Sequence, residues 1–293
     1  MASAGQWVAG ARPRTLPAAL SPVLVGTGAA AALGAAQAGR ALLAAVVALA
    51  LQVGVNYAND YSDGVRGTDA DRVGPLRLTG SGAAPPRQVL RAALLSFGVA
   101  AVAGVALVAL SGAWWLLVVG ALAVVAAWTY TGGPRPYGYA GLGEVFVFLF
   151  FGLVAVLGTT YTQAGRLSVD AIAGAVAVGS LACAILVANN LRDVPTDAVA
   201  GKRTLAVRLG EGRTRTLYAA LLVLPYLLLS VPARTTPFAL LPLLTVPLAV
   251  AAVRVVRAGA TGRDLVPVLG RTGQLELAYA LLLAVGLGLA PLL

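Results

Sequence analysis

The stretch Ala171-Ile-Ala-Gly-Ala-Val-Ala-Val-Gly-Ser-Leu-Ala-Cys-Ala-Ile-Leu-Val-Ala-Asn189-Asn190-Leu-Arg192-Asp193 sets the physical problem this chain has to solve. Positions 171–188 carry no charge and a single hydroxyl, Ser180. At about 1.5 Å of helical rise per residue, such a run nearly matches the roughly 30 Å hydrocarbon layer of a bilayer. Lipid offers backbone amides no partners, so the run is a helix or part of a closed barrel. Barrel strands show period-two alternation over about 10 residues; this continuous Ala/Val/Leu composition reads as helix. The run ends on Asn, Asn, Arg and Asp, placing polar side chains where the helix leaves the apolar layer.

Comparable runs recur through all 293 residues, of which 59% are apolar and 11% charged, against about 25% charged in a soluble domain. Hydropathy predicts nine spans, at 16–37, 41–60, 88–111, 113–130, 142–161, 170–191, 214–232, 236–253 and 274–293. The expected fold is an all-α, polytopic, nine-transmembrane-helix bundle, with residues 1–293 forming one unit. Nine is odd, so the termini are expected on opposite faces. Arg12 and Arg14 precede the first span as they would a signal peptide. Its length and the eight spans behind it point instead to a retained helix.

The net charge of +10 invites a nucleic-acid reading, but the basic residues lie in short loops between spans. Eighteen of the 21 Lys and Arg residues fall on one face of this topology, and Arg40, Arg166 and Arg234 on the other. That asymmetry makes the basic face cytoplasmic. The expectation is a multi-pass cell-membrane protein with no nucleic-acid partner. Its N-terminus and long polar loops lie in the cytoplasm and its C-terminus outside. The single cysteine, Cys183, sits inside an apolar span and reads as small core filler.

Seven of the eleven acidic residues cluster after the second and sixth spans: Asp60, Asp63, Asp69 and Asp71, then Asp193, Asp197 and Glu211. The first segment reads Asn56-Tyr-Ala-Asn59-Asp60-Tyr-Ser-Asp63-Gly-Val-Arg66-Gly-Thr-Asp69. On a helix Asn56 and Asp60, and Asp60 and Asp63, share a face, so all three are expected to point into one cavity. The second reads Asn189-Asn190-Leu-Arg192-Asp193-Val-Pro195-Thr-Asp197, followed by Gly201-Lys202-Arg203. There Asn189 and Asp193 share a face, and Pro195 predicts an end or kink. Both segments emerge on the same side, as in a weak parallel repeat; an inverted repeat, common in transporters, would separate them.

Carboxylates and amides without His or Cys are hard oxygen donors suited to Mg²⁺, which takes one or two carboxylates and completes its shell with water and substrate phosphates. Arg66, Lys202 and Arg203 nearby suit a diphosphate. Isolated loop charges usually only solvate a surface. A doubled Asn/Asp pattern at two membrane helix ends argues for function.

Asn59-Asp60-Tyr-Ser-Asp63 and Asn189-Asn190-Leu-Arg192-Asp193-Val-Pro-Thr-Asp197 resemble the two aspartate-rich motifs of the UbiA-type intramembrane prenyltransferases. Arg12-Pro-Arg-Thr-Leu-Pro17, Tyr130-Thr-Gly-Gly-Pro134 with Gly138 to Glu144, and Gly201 to Gly210 resemble the branch that prenylates 1,4-dihydroxy-2-naphthoate. The resemblance implies a nine-helix bundle in which Asp60, Asp63, Asp193 and Asp197 act in catalysis and, with Asp69, hold Mg²⁺. Asn56, Asn59, Arg66, Asn189, Asn190, Lys202 and Arg203 would bind substrate. The general first motif has a third carboxylate where this chain has Gly67; Asp69 is its nearest substitute. The implied reaction joins polyprenyl diphosphate to the dihydroxynaphthoate ring, giving demethylmenaquinone, diphosphate and CO₂.

Tyr130, Tyr137 and Tyr139 either line the aromatic acceptor's site or belong to an interfacial belt. Glu144 reads as a complement to a helix dipole. Rival functions are prenyl transfer to 4-hydroxybenzoate, haem or a phosphosugar, and transport.

Overall fold

The computed structural model describes residues 2–67 and 76–292, so Asp69, Asp71 and Arg72 lie outside the described residues. The described residues form helices and no strand. A short helix, α1 (Ala4–Ala11), opens with a capping box between Ser3 and Gln6. Then come α2 (Leu16–Ala32), α3 (Ala38–Arg66), α4 (Pro86–Ser111) and α5 (Leu116–Thr129). The next crossing combines α6 (Gly143–Val147), a π-helical stretch (Phe148–Val154) and α7 (Ala155–Ala164). It is followed by α8 (Val169–Val199), α9 (Leu205–Leu228), a 3₁₀ stretch (Pro237–Thr245) running into α10 (Val246–Arg257), and α11 (Val266–Gly288).

Among the described residues, eight helical stretches are long and apolar enough to span a bilayer. The predicted span at 113–130 corresponds to α5, an apolar helix of 14 residues. Trp114 and Trp115 precede it as a turn, exposed in the manner of interfacial aromatics. Gly273 of α11 packs near the Arg14 carbonyl and Ala284 against Gly28 of α2. The helix therefore runs alongside α2 in the same direction, and the chain starts and finishes at opposite ends of the bundle. That arrangement needs an odd number of crossings, with α5 as the short one.

At the centre stands α8. Within its most apolar window 78% of residues are buried, against 28–56% in the other spanning stretches, as expected of a helix apolar all round. Small residues let its neighbours close in: a Cβ on Gly174 would stand 2.5 Å from Val25, and one on Gly152 would stand 2.8 Å from Gly179. Ser168 caps α8 by accepting from the Ala171 amide.

Several predicted boundaries move. Helix α3 continues past position 60 to Arg66, where Gly67 (φ 72°) supplies a left-handed cap. Helix α8 does not end at Pro195 but runs to Val199. The proline sits one turn from the end, so the amide bond it removes leaves only the last turn beyond it. Asp197 therefore stays on the helix, one turn beyond Asp193. Helix α9 starts at Leu205, with a break at Gly210 (φ 74°, ψ 164°), and α11 starts at Val266.

Candidate active site

The polar ends of α3 and α8 border one cavity of about 1670 Å³. From that end the cavity follows α4, α5 and α7 towards the opposite end, where Leu107, Val108, Leu116, Gly120 and Val154 make it apolar. One molecule with a charged head and a long hydrocarbon tail fits that polarity gradient.

Asp63, 2% exposed, is the focus of the polar end. The Tyr139 hydroxyl donates to its Oδ1 at 2.5 Å. Arg77 Nη2 stands 3.6 Å from Oδ2, and Lys202 Nζ 4.0 Å from Oδ1. Three connections, those before α4, α6 and α9, thus converge on one carboxylate. On α8, Arg192 grips Asp193 through both carboxylate oxygens at 2.7 and 2.6 Å and donates to Asn189 Oδ1 at 2.9 Å. Asp197 borders the cavity, and its carbonyl accepts from the Lys202 amide at 2.8 Å. That bond folds the connection after α8 back over the site.

The structure brings Asn56, Asn59, Asp63, Tyr130, Tyr139, Asn189, Asn190, Asp193, Asp197 and Lys202 to this cavity. It does not bring Asp60, Arg66 or Arg203 there. Asn56, Asn59 and Asp63 form the cavity stripe of α3, and Asp60 lies at its edge on the side shared with Gly64. There the Asp60 carboxylate accepts from the amides of Leu78 (2.7 Å) and Thr79 (2.8 Å). Arg66 donates to the carbonyls of Thr131 and Gly133, tying the end of α3 to the connection after α5. Arg203 follows Lys202 in the connection before α9, outside any helix; Lys202 is buried and Arg203 is exposed.

Two roles differ from those the residue types suggested. Asn56 borders the cavity, but its amide donates to the Ala11 carbonyl (2.9 Å) and to Thr15 Oγ1 (3.0 Å), so it fixes the junction of α1 and α2. Tyr139 belongs with Asp63, and the Lys202 ammonium lies 4.7 Å from its ring centroid. The aromatic wall is built by other rings. Tyr137 stacks on Phe146 with centroids 4.0 Å apart, Tyr130 meets Tyr137 edge-on at 5.5 Å, and Phe150 continues the row. Burial pushes the Tyr137 phenol up from its ordinary range, so it stays neutral and donates to the Ala126 carbonyl at 2.9 Å. Gly138 is required here: a Cβ would stand 2.6 Å from the Tyr130 carbonyl oxygen.

Sequence reasoning missed several cavity-lining cations: Arg12, Arg14, Arg77, Arg192 and Arg263. Arg12 and Arg14 carried a signal in the Arg-Pro-Arg stretch, and Arg12 adopts φ 54°, the one positive φ at a non-glycine among the described residues. Arg77 carried none. Glu144 stands in the first turn of α6, where a carboxylate complements the helix dipole; it is also buried and accepts from Asn190 Nδ2 at 3.0 Å, orienting a cavity amide.

Among the described residues, six cations, counting Lys202, border the cavity against three carboxylates, Asp63, Asp193 and Asp197. A multiply charged anion is the ligand such a field attracts. The oxygen donors of Asn59, Asp63, Asn189, Asp193 and Asp197 suit a hard divalent ion. Among the described residues no three carboxylates form a ready-made metal cluster. A metal held by these residues would share its shell with ligand phosphates, the usual habit of Mg²⁺.

Comparison with known proteins agrees with this geometry. The profile of the UbiA prenyltransferase family matches residues 19–266. The 1,4-dihydroxy-2-naphthoate octaprenyltransferase of Mycobacterium tuberculosis is 58% identical over 292 residues, covering 100% of both chains. The enzyme of the same name from Mycobacterium leprae is 55% identical over 290 residues, covering 99% of this chain and 98% of its own. Among solved structures, a UbiA homolog from Archaeoglobus fulgidus bound to GPP and Mg²⁺ superposes with a TM-score of 0.64 at 15% identity, covering 95% of this chain and 99% of that one. With relatives aligned end to end and the family profile spanning most of its length, this helical bundle with two Asn/Asp helix ends on one cavity belongs to the UbiA prenyltransferase family.

Proposed function

We propose that this protein transfers a polyprenyl group from its diphosphate to 1,4-dihydroxy-2-naphthoate, releasing diphosphate and CO₂, as a step of menaquinone biosynthesis. One observation carries the reading. The two Asn/Asp helix ends meet at the cationic mouth of a cavity whose far part is apolar and long. The diphosphate sits at the mouth, the isoprenoid tail extends between α4, α5 and α7, and the aromatic acceptor lies against Tyr130, Tyr137 and Phe146.

Asp63, Asp193 and Asp197, with Asn59 and Asn189, would hold Mg²⁺, which supplies positive charge to the departing diphosphate. Lys202, Arg77 and Arg192 stand beside those carboxylates and stabilise the same developing charge. The allylic C–O bond breaks with its electron pair leaving on diphosphate. The apolar wall keeps water from the cation. A new C–C bond forms to the hydroxylated ring, and the pair that bound the carboxylate returns to the ring as CO₂ departs. The direct product is the hydroquinone; its oxidation to demethylmenaquinone lies outside this reaction.

The protein works as a multi-pass cell-membrane enzyme, with the N-terminus and diphosphate site facing the cytoplasm and the C-terminus outside. The support is the distribution of Lys and Arg over the loops.

Purified protein in lipid nanodiscs, given Mg²⁺ and labelled prenyl diphosphate, should prenylate 1,4-dihydroxy-2-naphthoate. It should leave 4-hydroxybenzoate and haem unmodified. Transfer to either of those with none to the naphthoate would overturn the acceptor assignment, and solute flux without any prenylated product would overturn the enzyme assignment.

A further inference from the structure

We propose that Asp60 is a positioning residue and not a metal ligand: it clamps the turn 77–80 onto α3 so that Arg77 is aimed at the diphosphate beside Asp63. This deepens the prenyl-transfer reading and rests on it.

Both carboxylate oxygens of Asp60 are engaged by consecutive backbone amides, Leu78 to Oδ2 at 2.7 Å and Thr79 to Oδ1 at 2.8 Å. Charge-assisted bonds of this kind are about twice as strong as neutral ones. Asp60 is 1% exposed and does not border the cavity. Its partner turn is itself stiff, since Arg77 O, Leu78 O and Thr79 O accept from the amides of Ser81, Ala84 and Gly82.

The seat for this turn is cut into α3 and α1. One helical turn beyond Asp60, a Cβ on Gly64 would fall 2.5 Å from the Thr79 Cβ, so only glycine lets the turn lie flat on the helix. Leu78 is fully buried beside Tyr57, and a Cβ on Gly10 would fall 2.7 Å from its Cδ1. The residue before these two anchored amides is Arg77, which borders the cavity and pairs with Asp63 at 3.6 Å. An arginine on a connection has no helix to aim it. Asp60 and Gly64 do that here.

The test is a double-mutant cycle on purified full-length enzyme. Asp60→Asn keeps the shape but opposes one amide with an NH₂ group, Gly64→Ala displaces the turn while leaving every carboxylate in place, and Arg77→Ala removes the aimed cation. Donor KM, acceptor KM, kcat and the Mg²⁺ concentration for half-activation are read for each, with binding of geranyl diphosphate in the absence of acceptor. Asp60→Asn and Gly64→Ala should each lower kcat/KM for the donor by about tenfold when Arg77 is present and by less than about twofold when it is Ala. Neither should move the Mg²⁺ requirement more than about twofold. A many-fold rise in the Mg²⁺ requirement in Asp60→Asn, equal with and without Arg77, would overturn the proposal in favour of metal ligation, and so would unchanged donor kinetics in Gly64→Ala. Wild-type protein that binds geranyl diphosphate but prenylates no naphthoate would sink the functional reading and leave the binding cycle to decide this one.

Discussion

Replacing Lys202 and Arg203 separately by methionine tests how far adjacent cations differ. Lys202 Nζ lies 4.0 Å from Asp63 Oδ1, its side chain is 10% exposed, and it borders the cavity. A phosphate oxygen held at a similar distance gains about 4 kcal/mol from the ammonium at an effective dielectric of about 20. Desolvation takes part of that back, leaving the roughly 1.5–3 kcal/mol typical of bonds to charged groups. At about 1.4 kcal/mol per factor of ten, donor kcat/KM in Lys202→Met should fall about 10- to 150-fold. Loss of charge counts more against departing diphosphate than against the intact ester, so kcat falls along with affinity. Arg203 is exposed and outside the cavity, and its removal should stay within about 0.5 kcal/mol, roughly twofold. Steady-state kinetics with donor and acceptor varied in turn measures both. Equal losses of donor kcat/KM in the two variants would refute the assignment of Lys202 alone.

Tyr139→Phe removes the 2.5 Å bond to Asp63 and should cost donor kcat/KM about tenfold or more while moving acceptor KM less than about twofold; a rise in acceptor KM alone would place the ring at the acceptor instead. Tyr137→Ala removes the ring stacked 4.0 Å from Phe146, a contact worth about 0.5–1.5 kcal/mol, and should raise acceptor KM about two- to tenfold with donor KM unchanged. Gly138→Ala drives a Cβ into the Tyr130 carbonyl and should lower the melting temperature of the solubilised protein by the equivalent of about 1–3 kcal/mol, as differential scanning fluorimetry would read. Reporter fusions should read cytoplasmic after Arg208 and extracytoplasmic at the C-terminus.

The crossings were legible because their cause is local: an uninterrupted apolar run such as 171–188 has one stable form in lipid. The short α5 was also placed from hydropathy, although its 14 residues fall below the usual span length. Both Asn/Asp clusters stood out because polar groups at membrane helix ends are costly. Which of their residues face the cavity was not legible. Helical spacing groups Asp60 with Asn56 and Asp63, yet the turn at 77–80 packs on the edge of that stripe and takes Asp60 for itself. Nothing near position 60 announces a partner 18 residues away. Arg77 was invisible for the same reason. Lys202 and Arg203 look alike as a pair of charges, and only the folded connection, whose amides bond to the Asp197 and Tyr139 carbonyls, separates them. Of the end or kink that Pro195 predicts, the end is absent, because the proline lies only one turn from the helix terminus. Tyr139 was grouped with Tyr130 by residue type, whereas its hydroxyl is committed to Asp63.

On the proposed mechanism, one cavity couples departure of diphosphate to replacement of the naphthoate carboxylate by a prenyl group. Nanodisc-embedded enzyme supplied with Mg²⁺, prenyl diphosphate and 1,4-dihydroxy-2-naphthoate labelled at the carboxyl carbon provides the direct measurement, with released CO₂, diphosphate and prenylated ring counted together. The three should appear in a 1:1:1 ratio in wild type and be lost together in Asp63→Asn and Asp193→Asn, with the folded proteins still present in the membrane. Prenylated product that keeps its label, or undiminished turnover in both variants, would contradict that mechanism.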